Sequence, residues 1–212
     1  MFMNDLPNTF AELARSSGYE VNVDSSAKGG YTLEKHAADS DTLKIIDSAG
    51  WDYVVLQENS NIPRMESERR ERMYPAARAL DERIRNSGAQ TILLMTWGSP
   101  DTLAERGLDG FASEQEQVSA GFLTIAKELD ALVAPVGIAW AKSLMQRPEL
   151  ELWQHDDVHA SRSGTYLVAC VFYAVIYQQS PKGLSYGAGL SEDTARFLQS
   201  IATETVLADS IP

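Results

Sequence analysis

The feature that most constrains the fold is a regular alternation of two kinds of segment along the chain. Short runs rich in β-branched and aromatic residues occupy positions 19–23, 53–56, 91–95 and 132–136. Longer segments with apolar residues at helical spacing lie between these runs. Because strands that alternate with helices pack as a parallel sheet with helices on both faces, the sequence predicts an α/β fold.

The four strand candidates differ in their patterns. Run 19–23 alternates between apolar and polar residues, which predicts an edge strand. Runs 53–56 and 91–95 are continuously apolar, as in strands buried on both faces of a sheet. Run 132–136 contains Pro135, which cannot donate a hydrogen bond to a neighbouring strand.

Helical spacing is clearest in the segment 113–131. Residues 113–116 have the form of a capping box, and an apolar stripe follows at Val118, Phe122, Ile125, Ala126 and Leu129. Segments 166–177 and 191–207 predict two further helices near the end of the chain. The apolar run 166–177 is shorter than the roughly 18 residues that a membrane-spanning helix needs, so we expect a buried helix and no membrane partner.

Length and charge restrict the function classes. With 212 residues, the chain predicts a single domain over 1–212. Its 18 basic and 30 acidic side chains give a net charge of −12, which disfavours a nucleic-acid partner. Cys170 is the only cysteine, so no internal disulfide is possible. The first residues show no signal peptide, and the compartment remains unassigned.

The loops that follow the strand candidates are the first places to look for chemistry, because ligands of open parallel sheets bind beyond the carboxyl ends of the strands. The loop 25–33 contains Gly29 and Gly30 but matches neither nucleotide-binding glycine motif. Its backbone N–H groups can stabilise an oxyanion, although a plain turn explains the composition as well. The loop 57–61 offers amide side chains as further donors, and ordinary loop polarity is again the alternative.

Asp156 and His159 form the sharpest candidate pair in the sequence. Their separation of three residues lets the carboxylate fold back onto the imidazole and orient it, as in the base half of a hydrolytic triad. Two alternatives remain open, a divalent metal bound by His155 and His159 with the neighbouring aspartates, or a solvated acidic loop. We expect no metal and no other cofactor. We expect His36 to be structural.

Several blocks of the chain resemble, in order, those of the SGNH hydrolase superfamily, also called GDSL-like esterases, and particularly its bacterial esterases of unassigned substrate. The matching blocks are 29–33, 51–60 and 156–166, and 135–140 resembles the strand and turn that precede the catalytic base. The resemblance implies a flavodoxin-like three-layer α/β/α sandwich. It also implies a hydrolase of acyl esters, above all acetyl esters, with carbohydrate esters as the favoured substrates.

The resemblance also implies roles for individual residues. Asp156 and His159 correspond to the orienting acid and the general base, and Gly30 corresponds to one oxyanion donor. The family's asparagine donor falls in 57–61, where Asn59 is the first candidate, Gln57 the second and Asn61 the third.

The family's nucleophilic serine ends the first strand, and residues 4–7 resemble the segment that follows it. We therefore expect the serine and its strand to lie before Met1, so that the chain as given lacks both. Its flanking strands would then expose unpaired backbone groups, which predicts poor solubility or self-association. The alternative function is an inactive member of the same fold that binds a glycan or acyl ligand. The oligomeric state is left open.

Overall fold

The structure is a computed structural model that describes residues 4–48, 50–156 and 159–208. Its contacts divide the chain into two compact units. The helical unit comprises the described residues of 1–25, 99–112 and 135–212, and the sheet unit comprises those of 26–98 and 113–134. The single domain over 1–212 remains a prediction.

Within the described residues, the α-helices are α1 (Leu6–Arg15), α2 (Leu33–Ala37), α3 (Ser40–Ser48), α4 (Glu66–Glu68), α5 (Tyr74–Asn86), α6 (Pro100–Leu129), α7 (Val136–Gln146), α8 (Arg162–Tyr177) and α9 (Glu192–Val206). The strands are β1 (Tyr53–Leu56), β2 (Gln90–Leu94) and β3 (Leu132–Ala134). A 3-10 turn covers Ile62–Arg64, and a π-helical turn covers Arg69–Met73. No helix in these described ranges has both the length and the apolarity needed to cross a bilayer.

The three described strands form a parallel sheet in the order β1-β2-β3, which confirms the predicted parallel α/β fold. Val54 pairs with Thr91, and Leu94 pairs with Ala134. Strand β2 is buried from Thr91 onward, as its apolar run predicts. Helix α5 packs against β2 inside the sheet unit.

Strand β1 corrects one expectation, because it is not buried on both faces. Val55 is 42% exposed. Within the described part of the chain, β1 pairs only with β2, and a strand at the edge of a sheet is less completely covered than a central one.

The run 19–23 contains no strand, so the predicted edge strand is wrong. A strand needs a partner for its backbone groups, and no described strand pairs with this run. Aromatic packing holds its first residue instead. The ring of Tyr19 stacks on Tyr177 with centroids 3.9 Å apart and meets Tyr173 edge-on.

The segment 135–140 begins a helix, which corrects its expected match to a strand and turn. Strand β3 ends at Ala134, Pro135 is the residue before α7, and the helix starts at Val136. Proline lacks the N–H that a strand would use but is compatible with a helix start.

Helix α6 confirms the predicted helical segment but not its start. The helix begins at Pro100 and contains a break at Gly107, whose φ of 67° is readily adopted only by glycine. The capping-box residues 113–116 therefore lie inside the helix. The apolar stripe from Val118 to Leu129 is buried as predicted.

The predicted helices near the end of the chain are present as α8 and α9, and they pack with α1 and α7 inside the helical unit. Helix α8 is buried from Gly164 to Val175. The side chain of Ser191 caps α9 by accepting the N–H of Thr194 at 3.2 Å.

Candidate active site

Asp156 and His159 lie in a loop of the helical unit between α7 and α8. Backbone hydrogen bonds close this loop like a hairpin. Ser161 N–H donates to Leu152 O at 2.8 Å, and Gln154 N–H donates to His159 O at 2.8 Å. We call residues 152–161 the dyad hairpin; Asp157 and Val158 lie outside the described residues. The two backbone bonds fix the position of the His159 main chain.

The Asp156 carboxylate contacts His159 with both of its oxygens. Its Oδ2 is 2.6 Å from Nδ1 of the imidazole, and its Oδ1 accepts the backbone N–H of His159 at 2.9 Å. Paired to the carboxylate through Nδ1–H, a neutral imidazole keeps its Nε2 lone pair available as a base. The His159 side chain is 39% exposed and that of Asp156 42% exposed, so solvent reaches the pair.

The start of α8 supports the dyad hairpin from one side. Ser161 caps the helix by accepting the N–H of Gly164 at 3.1 Å and donates its hydroxyl to Glu151 O at 2.7 Å. Gly164 allows this close packing. A Cβ at this position would overlap the carbonyl oxygen of Leu152 and lie 2.5 Å from Cη2 of Trp140.

The beginning of the described chain is bound to the same hairpin. Asn4 donates its side-chain amide to the carbonyl oxygen of Ala160, the residue after His159, at 2.7 Å. Asp5 then starts α1 by accepting the N–H of Asn8 at 3.2 Å. Asn4 therefore lies against the residue that follows the proposed base.

A polar depression of about 370 Å³ lies in the helical unit next to Asn4. Its lining is predominantly polar and consists of Asn4, Asp5, Asn8, Thr9, Arg162, Thr165, Tyr186 and Ala188. The guanidinium of Arg162 packs closely against Gly189: a Cβ added to this glycine would lie 3.2 Å from Nη1 of Arg162. These side chains offer both donors and acceptors to a bound group.

Gly30 lies in a turn of the sheet unit that leads into α2. Tyr31 N–H donates to Lys28 O at 3.1 Å, and Gly30 has a φ of 69°, a conformation that favours glycine. Among the residues that the structure describes, the Gly30 N–H has no hydrogen-bond acceptor. Thr32 then caps α2 by accepting the N–H of Lys35 at 3.2 Å.

Asn59 lies in the turn that follows β1 in the sheet unit. Its side-chain oxygen accepts the N–H of Asn61 at 3.2 Å, which leaves the NH₂ group to donate elsewhere. Asn61 uses its own side-chain oxygen to accept from Arg64 at 3.4 Å, and Gln57 is exposed. Of the three amide candidates, Asn59 has the side chain whose NH₂ group is best oriented by a local contact.

Glu58 is a buried acidic residue of this site that the sequence pattern alone does not predict. It is 1% exposed, and its Oε1 accepts the N–H of Leu33 at 3.2 Å and that of Asn59 at 2.6 Å. Burial raises the pKa of the Glu58 carboxyl, although the two N–H donors oppose the shift. The available signal was an acidic residue two positions beyond Leu56, the last apolar residue of β1.

The structure thus forms two pairings, each inside one unit. Asp156 contacts His159 in the helical unit, and Glu58 links the Gly30 turn to Asn59 in the sheet unit. The catalytic roles of these residues remain predictions.

The described part of the chain contains no cluster of side chains that could bind a metal ion. No group of three or more His, Cys, Asp or Glu side chains is gathered there, and Asp157 falls outside it. His155 is exposed. His36 lies 3.0 Å from Thr42 through Nδ1, and burial lowers the pKa of its imidazole. Its structural role remains a prediction.

The parallel sheet and the similarity described next show that this chain has an SGNH hydrolase-like, flavodoxin-like α/β fold. A protein from Slackia heliotrinireducens named "a putative SGNH hydrolase" is 26% identical, with a TM-score of 0.66 over 82% of this chain and 92% of that one. This similarity supports a hydrolase fold.

Two further solved structures share the fold. A DUF4886 family protein from Bacteroides uniformis matches 99% of this chain and 92% of its own, with 15% identity and a TM-score of 0.75. Protein YxiM from Bacillus subtilis matches 71% of this chain and 44% of its own, with 18% identity and a TM-score of 0.53. No protein-family model and no curated protein sequence matches the chain.

Proposed function

We propose that this protein is a serine ester hydrolase in which His159 is the general base and Asp156 orients it. The observation that carries the proposal is the double contact between the Asp156 carboxylate and His159, at 2.6 Å to Nδ1 and 2.9 Å to the backbone N–H. A carboxylate in this arrangement selects the tautomer whose Nε2 can accept a proton, and it stabilises the imidazolium that then forms.

The proposed reaction has two halves. His159 Nε2 takes the proton of a serine hydroxyl while the serine oxygen attacks the acyl carbonyl carbon, and the same proton then passes to the leaving alcohol. Water, deprotonated by His159, next attacks the acyl-enzyme. This step releases the carboxylic acid and returns the proton to the serine.

The serine in this proposal is the one that the family resemblance expects before Met1. The hydrogen bond from Asn4 to Ala160 supports this assignment, because it ties the chain just before α1 to the residue that follows the base.

Gly30 and Asn59 are the proposed oxyanion donors. The Gly30 N–H has no acceptor in the described chain, and the Asn59 NH₂ group is oriented by the bond from Asn61 to its side-chain oxygen. Preorganised donors of this kind stabilise the negative charge that develops on the carbonyl oxygen. Gln57 is the second candidate for the amide role.

The proposed substrates are acyl esters, especially acetyl esters, with a carbohydrate as the alcohol. The polar depression beside Asn4 supports a hydroxyl-rich alcohol, because its amide, carboxylate and guanidinium groups can bind sugar hydroxyls.

Hydrolysis of p-nitrophenyl acetate and acetylated xylan by the full gene product, including any in-frame codons before Met1, tests the proposal. We expect His159→Ala to lower kcat by on the order of 10³-fold, whereas His155→Ala, the matched control on the same exposed loop, changes kcat less than about twofold. Equal rates for the wild type and His159→Ala would overturn the proposal. Chelator sensitivity together with a loss in His155→Ala would favour a metal-dependent reaction.

A further inference from the structure

We propose that Glu58 is a positioning residue that holds the two proposed oxyanion-donor segments together, so that they are ordered before substrate binds. This inference rests on the proposed function. Its structural basis is one carboxylate oxygen that accepts the N–H of Leu33, at 3.2 Å, and that of Asn59, at 2.6 Å.

The two bonds connect segments that are far apart in sequence. Leu33 and Glu58 are separated by 25 residues, and the Leu33 N–H follows directly on the Gly30–Thr32 turn. On the other side, Asn59 begins the turn in which its side-chain oxygen accepts the N–H of Asn61. Because the Asn59 backbone is held in place, the Cα from which its side chain extends is held as well. The NH₂ group proposed to donate to the oxyanion therefore starts from a fixed position.

Burying the Glu58 carboxyl lowers the stability of the folded state. The residue is 1% exposed, and its second oxygen, Oε2, has no hydrogen-bond partner among the described residues. A buried polar atom without a partner destabilises a fold. A leucine of similar size would avoid that cost, so the gain from a carboxylate lies in the two N–H groups that Oε1 holds.

The surroundings of Glu58 only partly offset the buried charge. Arg72 attracts the carboxylate and Glu34 repels it. Arg72 is itself paired with Glu34 at 3.4 Å and with Glu68 at 2.8 Å. The two backbone donors are therefore the direct contacts that Glu58 makes, and both belong to the donor segments.

Two substitutions separate positioning from packing. Glu58→Gln keeps an oxygen acceptor for both N–H groups, and Glu58→Leu keeps similar volume without an acceptor. We expect Glu58→Leu to lower kcat about 100-fold with KM within about threefold, since an oxyanion contact matters most in the transition state. We expect Glu58→Gln to retain kcat within about fivefold, because its amide oxygen can still accept both N–H groups.

NMR provides a readout that does not depend on turnover. In Glu58→Leu we expect the Leu33 and Asn59 amide protons to shift upfield and the Asn59 side-chain NH₂ to become more mobile, whereas Glu58→Gln resembles the wild type. Unchanged Asn59 side-chain order in Glu58→Leu would overturn the inference, and so would an unchanged kcat or an equal loss in both variants. A wild type that hydrolyses no ester, or full activity of His159→Ala, would instead overturn the proposed function.

Discussion

The dyad hairpin and the turns linked by Glu58 each position polar groups proposed to act in catalysis, but they do so through different kinds of contact. In the hairpin, the two bonds that the Asp156 carboxylate makes to His159 join residues three apart, and both side chains are about 40% exposed. In the sheet unit, the contact spans 25 residues, and the carboxylate is 1% exposed. The base is therefore oriented locally, whereas the donor turns depend on a buried tertiary contact.

This difference predicts different responses to substitution. Removing a carboxylate from the exposed hairpin should alter chemistry with little effect on stability, because exposed ion pairs contribute only about 0–1 kcal/mol. Changing the buried carboxylate should alter stability and its pH dependence as well.

The largest effect is expected at Asp156. Asp156→Asn replaces an acceptor of the His159 Nδ1–H by an amide that favours the wrong tautomer, so kcat should fall on the order of 10³-fold or more. The melting temperature should change by less than about 3 °C, because the pair is exposed. A loss of kcat below tenfold in steady-state ester hydrolysis would break the comparison.

The next effect concerns the Asn59 amide. Asn59→Asp keeps the side-chain oxygen that accepts the Asn61 N–H but removes the NH₂ donor, so kcat should fall about 100-fold or more. Asn86→Asp, at an exposed position at the end of α5 in the same unit, is the control and should change kcat less than about threefold. Equal losses in both variants would point to the added negative charge instead of a lost donor.

A stability effect of intermediate size is expected at Gly164. In Gly164→Ala the new methyl group meets Leu152 O and the Trp140 ring, so α8 and the dyad hairpin must shift, at a cost of about 1–3 kcal/mol. Gly50→Ala, where a Cβ meets no atom within 4 Å, is the matched control. Urea unfolding measures both variants, and equal midpoints would show that the hairpin does not depend on this close packing.

The smallest effect is the pH dependence contributed by Glu58. Because burial raises its folded pKa above the ordinary value of 4.5, its contribution to stability is fully present below pH 4.5. That contribution is lost as pH rises through the folded pKa. Glu58→Gln should lack this loss, so the variant should gain in urea midpoint relative to the wild type between pH 4.5 and pH 8. A difference independent of pH would contradict the buried, pKa-shifted carboxyl.

The same contrast explains how much could be predicted from the sequence. The apolar runs 53–56 and 91–95 identify strands by their own composition, and Asp156 reaches His159 across one turn of chain. The run 19–23 fails as a strand because pairing depends on a partner that its own residues do not encode. The helix start predicted from the capping box at 113–116 is wrong, because α6 starts thirteen residues earlier, at Pro100.

Glu58 shows the limit for the candidate site. Its function as an acceptor depends on Leu33, 25 residues away, and no spacing rule connects a residue at the end of a strand to the start of an earlier helix. By contrast, the placement of Asn59 and Gly30 in turns could be predicted, because both lie in loops of small or polar residues.

Labelling by a fluorophosphonate probe, mapped by mass spectrometry on the full gene product with any in-frame codons before Met1, measures whether His159 activates a serine. We expect one phosphonylated serine, before Met1, and loss of this label in His159→Ala but not in His155→Ala. An unlabelled protein, or the same labelling in His159→Ala as in the wild type, would contradict this expectation.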